Sequence, residues 1–180
     1  MEKRMTVADY FCTPETMKPQ ELVYGILREP DAPGYGHQAI VTHMGAVLDR
    51  FVRRAKLGAV CVSPVDVVFD RRRALVLQPD VVFVSKARLG IIDDRVWGAP
   101  DLLVEVLSPR TARRDRTRKL EWYRKYGVRE CWLVDPRAHE VVVIALDRGD
   151  ERPARIYRGS QRLYSRVLPG FRPSARRLLG

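Results

Sequence analysis

The run Asp101-Leu-Leu-Val-Glu-Val-Leu107 constrains the fold more than any other part of this sequence. Its aliphatic residues occupy both sides of an extended chain instead of alternating with polar ones. That pattern marks a strand buried on both faces, inside a sheet covered by a layer on each side. Glu105 stands in the middle of it. A carboxylate there is costly to bury unless it is paired or bound to a metal. Glu105 is therefore either satisfied by an arginine or by backbone donors, or it is placed there for chemistry.

The rest of the chain reads as elements able to surround such a strand. Thr6 and Asp9 have the spacing of a capping box, so a short helix begins there, limited by Pro14. Residues 21–27 are β-compatible, with Gly25 permitting a bend, and a Pro/Gly loop follows. Ile40, Met44, Val47, Leu48 and Phe51 recur at helical spacing, and Gly58 is the expected stop. Short strands are expected over 59–62, 65–69, 74–77 and 81–84, and 86–99 is expected to connect them to the central strand. Thr111 is the candidate cap of a helix running to about Tyr126, with strands over 130–134 and 140–145 after it. Residues 150–180 are basic and weakly patterned. This order predicts an α/β (α+β) fold, a mixed β-sheet flanked by helices.

The 180 residues suit one domain, expected over 1–180. No apolar run approaches the roughly 18–20 residues that span a bilayer, and the N-terminus has no apolar signal core. A soluble cytoplasmic protein with no membrane partner is the expectation. Cys12, Cys61 and Cys131 show no CxxC spacing and are expected to be buried reduced thiols. The net charge of +11, mostly arginine, favours a polyanionic partner, because phosphate contacts release counterions. A solvated arginine-rich surface would give the same number.

A second acid has the right address. Pro79-Asp80 opens the apolar strand before the central one. If the two strands pair antiparallel, one permitted register sets Asp80 opposite Glu105, with Cβ atoms about 5 Å apart. A divalent cation would relieve that repulsion, and hard oxygen ligands suit Mg²⁺ or Mn²⁺. Asp101 repeats the Pro-Asp dipeptide but lies roughly 13 Å along the strand from Glu105. It is expected at the start of the strand or in the surroundings of the site. Asp115 and Lys119 sit four apart on the next helix, either as an ordinary ion pair or with Lys119 directed at a phosphate. No GxSxG, Walker-type loop or HExxH occurs.

Taken in order, these segments resemble the PD-(D/E)XK nuclease superfamily, and more closely its Uma-type branch of restriction-endonuclease-like proteins. The resemblance spans roughly residues 5–172. It rests on Met5-Thr-Val7, Glu21-Leu-Val-Tyr-Gly25, His37, Gln78-Pro-Asp-Val81, Ala99 to Pro109, Asp115, Lys119, Tyr123, Gly127-Val128, Trp132 to Pro136, and Leu168-Pro-Gly-Phe171. It implies a restriction-endonuclease-like core and Mg²⁺-dependent phosphodiester cleavage, with nucleic acid, DNA first, as the partner and a homodimer as the assembly. By motif match Asp80 and Glu105 are the metal-binding acids; the Val106 carbonyl is expected as a further ligand. Lys119 is expected to be the catalytic lysine. Glu21, His37, Asp101 and Asp115 are expected around them or against substrate. The chain departs from the pattern at Leu107, where the superfamily's lysine usually stands, so Lys119 would act from the following helix. A nucleic-acid-binding or assembly protein on the same fold that does not cut is the alternative.

Overall fold

The computed structural model describes residues 4–14, 18–107, 113–147 and 153–180, without the side chains of 113–116. Helix α1, Val7–Phe11, opens with the expected capping box of Thr6 and Asp9. Strands β1, Glu21–Val23, and β2, Ile26–Arg28, form a hairpin that turns through Tyr24 and Gly25. Both turn residues have positive φ, which glycine tolerates at no steric cost. Helix α2, Tyr35–Ala55, is longer than its apolar periodicity shows, and Lys56 in the left-handed region closes it ahead of the expected Gly58.

Strands β3, Gly58–Val62, β4, Val67–Asp70, β5, Leu75–Leu77, and β6, Val81–Ser85, follow close to the expected spans. The expected connection at 86–99 holds a 3-10 turn, Lys86–Ile91, and strand β7, Val96–Trp97. The central strand is β8, Leu102–Val106. Helix α3, Arg113–Tyr126, ends at Gly127, whose φ of 95° suits a helix stop; Thr111 lies outside the described residues. Strands β9, Glu130–Asp135, and β10, Glu140–Ala145, form the expected hairpin. The basic tail contains strand β11, Arg155–Arg158, and helix α4, Ala175–Leu179.

The strands form two mixed sheets where one was expected. One runs β2-β1-β5-β4-β7 and the other β11-β10-β9-β8-β6-β3. In the second, β8 pairs antiparallel with β6 and parallel with β9. Leu102, Val104 and Val106 face a core built with α2. Leu103 points the other way, into a core shared with Tyr123 of α3 and with Phe69 and Leu77 of the first sheet. Both faces of β8 are thus covered, which is why it lacks polar alternation. Glu105 shares the face of Leu103, so its carboxylate is directed toward α3 and the first sheet.

The thiols divide: Cys131 is buried, whereas Cys12 and Cys61 are exposed, contrary to the expectation for all three. Among the described residues no helix is long and apolar enough to cross a membrane.

Candidate active site

The β6–β8 register is fixed by Val81 opposite Val104, Val82 opposite Leu103 and Phe83 opposite Leu102. One further step sets Asp80 opposite Glu105, the register expected from the sequence. Two contacts hold Asp80 there. Its carbonyl accepts the Ser63 N–H at 2.9 Å, and its Oδ2 accepts the Val106 N–H at 2.7 Å. Both acids line a cleft of about 1230 Å³ between the N-terminus of α2, the β1–β2 hairpin and α3.

Helix α3 brings two side chains onto Glu105 because Lys119 and Tyr123 are four residues apart and share a helix face. Lys119 Nζ lies 3.4 Å from Glu105 Oε1 and 2.8 Å from Glu21 Oε1. The Tyr123 hydroxyl donates to the same Oε1 of Glu105. Tyr123 is fully buried, and its ring packs on Phe69 at 5.6 Å. Lys119 therefore reaches the acid from α3. Glu21 enters through β1 and also accepts the Gln78 N–H at 3.3 Å.

Helix α2 contributes His37. Its Nε2 lies 3.0 Å from the Val106 carbonyl and 3.3 Å from Asp80 Oδ2. A carbonyl only accepts, so Nε2 carries the proton and one N–H spans both oxygens.

These contacts explain the shifted acidities. Burial pushes the Glu105 carboxyl up from 4.5 to about 7; Lys119 and Tyr123 pull it down, while Asp80 and Glu21 push it further up. Burial also disfavours the Lys119 ammonium, but Glu105 and Glu21 outweigh it, and its pKa lies above the ordinary lysine value. The hydrogen bond to Asp80 raises His37 above 6.5, against the effect of burial.

Asp80, Glu105 and the Val106 carbonyl are hard oxygen donors of the kind that Mg²⁺ and Mn²⁺ take. Among the described residues no three His, Cys, Asp or Glu side chains form a metal cage of their own. Mg²⁺ usually makes do with one or two carboxylates and completes its shell with water and substrate phosphate, so this donor set fits it. The cleft lining fits as well. Among the described residues Glu21, Glu29, Asp31, Asp66, Asp80 and Glu105 face it together with five lysines and arginines.

Other expected residues fall in different places. Asp101 takes the strand-start role. It is fully buried, accepts the Ser85 N–H at 2.8 Å, and pairs with Arg88 at 3.5 Å and Arg129 at 3.4 Å. It does not line the cleft among the described residues. Asp115 lies in α3, but its side chain is outside the described residues. His43 is exposed and bonded to the Arg177 carbonyl at 2.7 Å. Trp97 packs edge-on against Phe11. Sequence reasoning gave no contact to Tyr123, and it missed a polar group of Tyr10, Asp66, Gln78 and Arg95. The signals for Tyr123 were its place in the family resemblance and its four-residue offset from Lys119.

The core is a mixed sheet with two acids on facing strand positions and a lysine reaching in from the next helix. The chain belongs to the Uma2 family, described as "Putative restriction endonuclease", whose model matches residues 7–177. A crystal structure described as a putative nuclease belonging to DUF820, from Anabaena variabilis ATCC 29413, is similar over 97% of each chain, with a TM-score of 0.78 and 20% identity. At that identity the likeness is one of fold. No curated protein matches the chain.

Proposed function

We propose that the chain is a divalent-metal-dependent nuclease that hydrolyses phosphodiester bonds of nucleic acid, DNA first. The observation that carries this reading is the convergence of Asp80, Glu105 and Lys119 in one cleft, with a Glu105 carboxyl that burial leaves poorly charged on its own. Asp80, Glu105 and the Val106 carbonyl would hold Mg²⁺ or Mn²⁺. Bound there, such an ion lowers the pKa of a coordinated water and polarises a phosphate oxygen.

The protein's own groups do the rest. Tyr123 and Lys119 both occupy Oε1 of Glu105, which orients the carboxylate and leaves Oε2 without a hydrogen bond among the described residues. Glu21 anchors the Lys119 ammonium, which would sit against charge developing on the phosphate. Surface arginines, including Arg71, Arg72 and Arg73, would hold the strand by its backbone.

The test is cleavage of plasmid and oligonucleotide DNA with Mg²⁺, with Mn²⁺ and with chelator, by wild type and Glu105→Gln. Metal-dependent cleavage lost in a Glu105→Gln protein of unchanged melting temperature supports the reading. Cleavage that survives the substitution, or no cleavage by wild type with either metal, rejects it.

A further inference from the structure

The cleft that holds Glu105 and Lys119 also reaches Phe11 and Arg95. A chain of contacts connects the two regions. Lys119 touches Glu21, and Glu21 accepts the Gln78 N–H. Gln78 Nε2 donates to Asp66 Oδ1 at 3.0 Å, and Asp66 Oδ2 lies 3.5 Å from Arg95 Nε. The Arg95 guanidinium carbon lies 3.7 Å from the centroid of the Phe11 ring.

Arg95 is held on several sides. Its Nη1 donates to Asp94, and Asp94 is fixed in turn by the Trp97 indole N–H at 3.1 Å. Trp97 packs edge-on against Phe11, and Tyr10 lies beside Phe11 while donating to Asp66 at 3.0 Å. Two carboxylates already balance the Arg95 charge, so it is poorly suited to gripping a phosphate. What remains is a rigid flat group with one face on Phe11 and 30% of its side chain still exposed where it lines the cleft. Guanidinium planes stack on nucleobases, and a platform that is already ordered loses little entropy on binding.

We propose that Arg95, laid over Phe11, is a stacking platform for an unpaired nucleobase, so the strand in the cleft is single-stranded at that point. This rests on the nuclease reading for the identity of the ligand. A base must leave its duplex stack to lie on the guanidinium, and stacking of this kind tolerates any base because every base has a π-face. Asp66 and Gln78 connect the platform to Glu21, so a seated base would fix the phosphate position relative to Lys119.

The test is binding without cleavage. Fluorescence anisotropy in chelator measures the affinity of wild type and Arg95→Lys for short labelled oligodeoxynucleotides, for their ribose counterparts and for the matching duplexes. An abasic site is moved along the single strand. Arg95→Lys keeps the charge and removes the plane. The expected result is tighter binding of one of the single strands than of its duplex. One abasic position should weaken wild type about tenfold, and that loss should disappear in Arg95→Lys. The abasic scan on wild type needs no variant to fold. Equal binding of duplex and single strand, no sensitive position, an abasic penalty unchanged in Arg95→Lys, or no binding at all would overturn the proposal. Because no cutting is read, a protein that stacks a base but never cleaves would sink only the nuclease reading.

Discussion

The carboxylate of Asp80 accepts the backbone N–H of Val106 at 2.7 Å, so the acid that precedes one strand is locked to the strand beside it. The bond does more than hold a register. It places Asp80 beside the Val106 carbonyl, which His37 also touches, and sets the aspartate across from Glu105. The expected behaviour of the site follows from this small set of contacts.

Lys119→Ala should separate binding from chemistry. The ammonium bridges Glu21 and Glu105, and neither of the proposed metal-holding acids is lost with it. Cleavage should fall by about 100-fold or more, the usual cost of losing one preorganised charge at a transition state. Mn²⁺ affinity measured by calorimetry should be retained. A variant that cuts at the wild-type rate would reduce Lys119 to an ordinary ion pair.

Tyr123→Phe removes only the hydroxyl that orients Glu105. Partners one step behind a metal ligand typically contribute tenfold or more to affinity. Mn²⁺ binding should weaken about tenfold, read by titration calorimetry on a variant whose circular dichroism matches wild type. Unchanged affinity would leave Tyr123 as packing alone.

The Glu105 carboxyl gives a pH dependence of defined sign. Its folded pKa of about 7 lies above the ordinary 4.5, so the folded chain binds more protons than the unfolded chain between those values. In chelator, stability should be greatest below pH 4.5 as far as this group is concerned, and should fall as pH rises through 7. The measurement is the difference in melting temperature between wild type and Glu105→Gln, whose side chain cannot titrate. Mn²⁺ affinity should rise across the same interval, because the ion must replace the proton. A difference that is flat from pH 4.5 to 7.5 would contradict the assignment.

Gly58→Ala serves as a control on the fold. Gly58 has φ 152°, and a Cβ there would overlap the Val84 carbonyl across the β3–β6 pair. Strain and overlap should cost about 2–3 kcal/mol in denaturant unfolding, without a specific effect on metal affinity per folded molecule.

The central strand was legible because an apolar run without alternation can be satisfied only between two layers, and Glu105 broke that run. The register with Asp80 was legible as one option among few. Lys119 and Tyr123 could be assigned to a helix, but no local rule says which way that helix faces. Their convergence on Glu105 depends on α3 packing across from Phe69. The polar group around Asp66 joins residues more than fifty positions apart, such as Tyr10 and Asp66, and leaves no periodic trace. Strand β11 and helix α4 escaped for a similar reason. Four residues of β11 become a strand by pairing with β10, and α4 is held mainly by its contacts to α2 and β11. The division into two sheets turns on β1 pairing with β5, which hydrophobic patterning does not encode.

The most direct measurement of the central claim is the anomalous signal of Mn²⁺ in crystals grown or soaked with the ion. The account predicts a peak bonded to Asp80, to Glu105 and to the Val106 carbonyl, with His37 Nε2 displaced from the two oxygens it now spans. Saturating Mn²⁺ with no peak at those oxygens, and His37 still bonded to Asp80 and Val106, would contradict it.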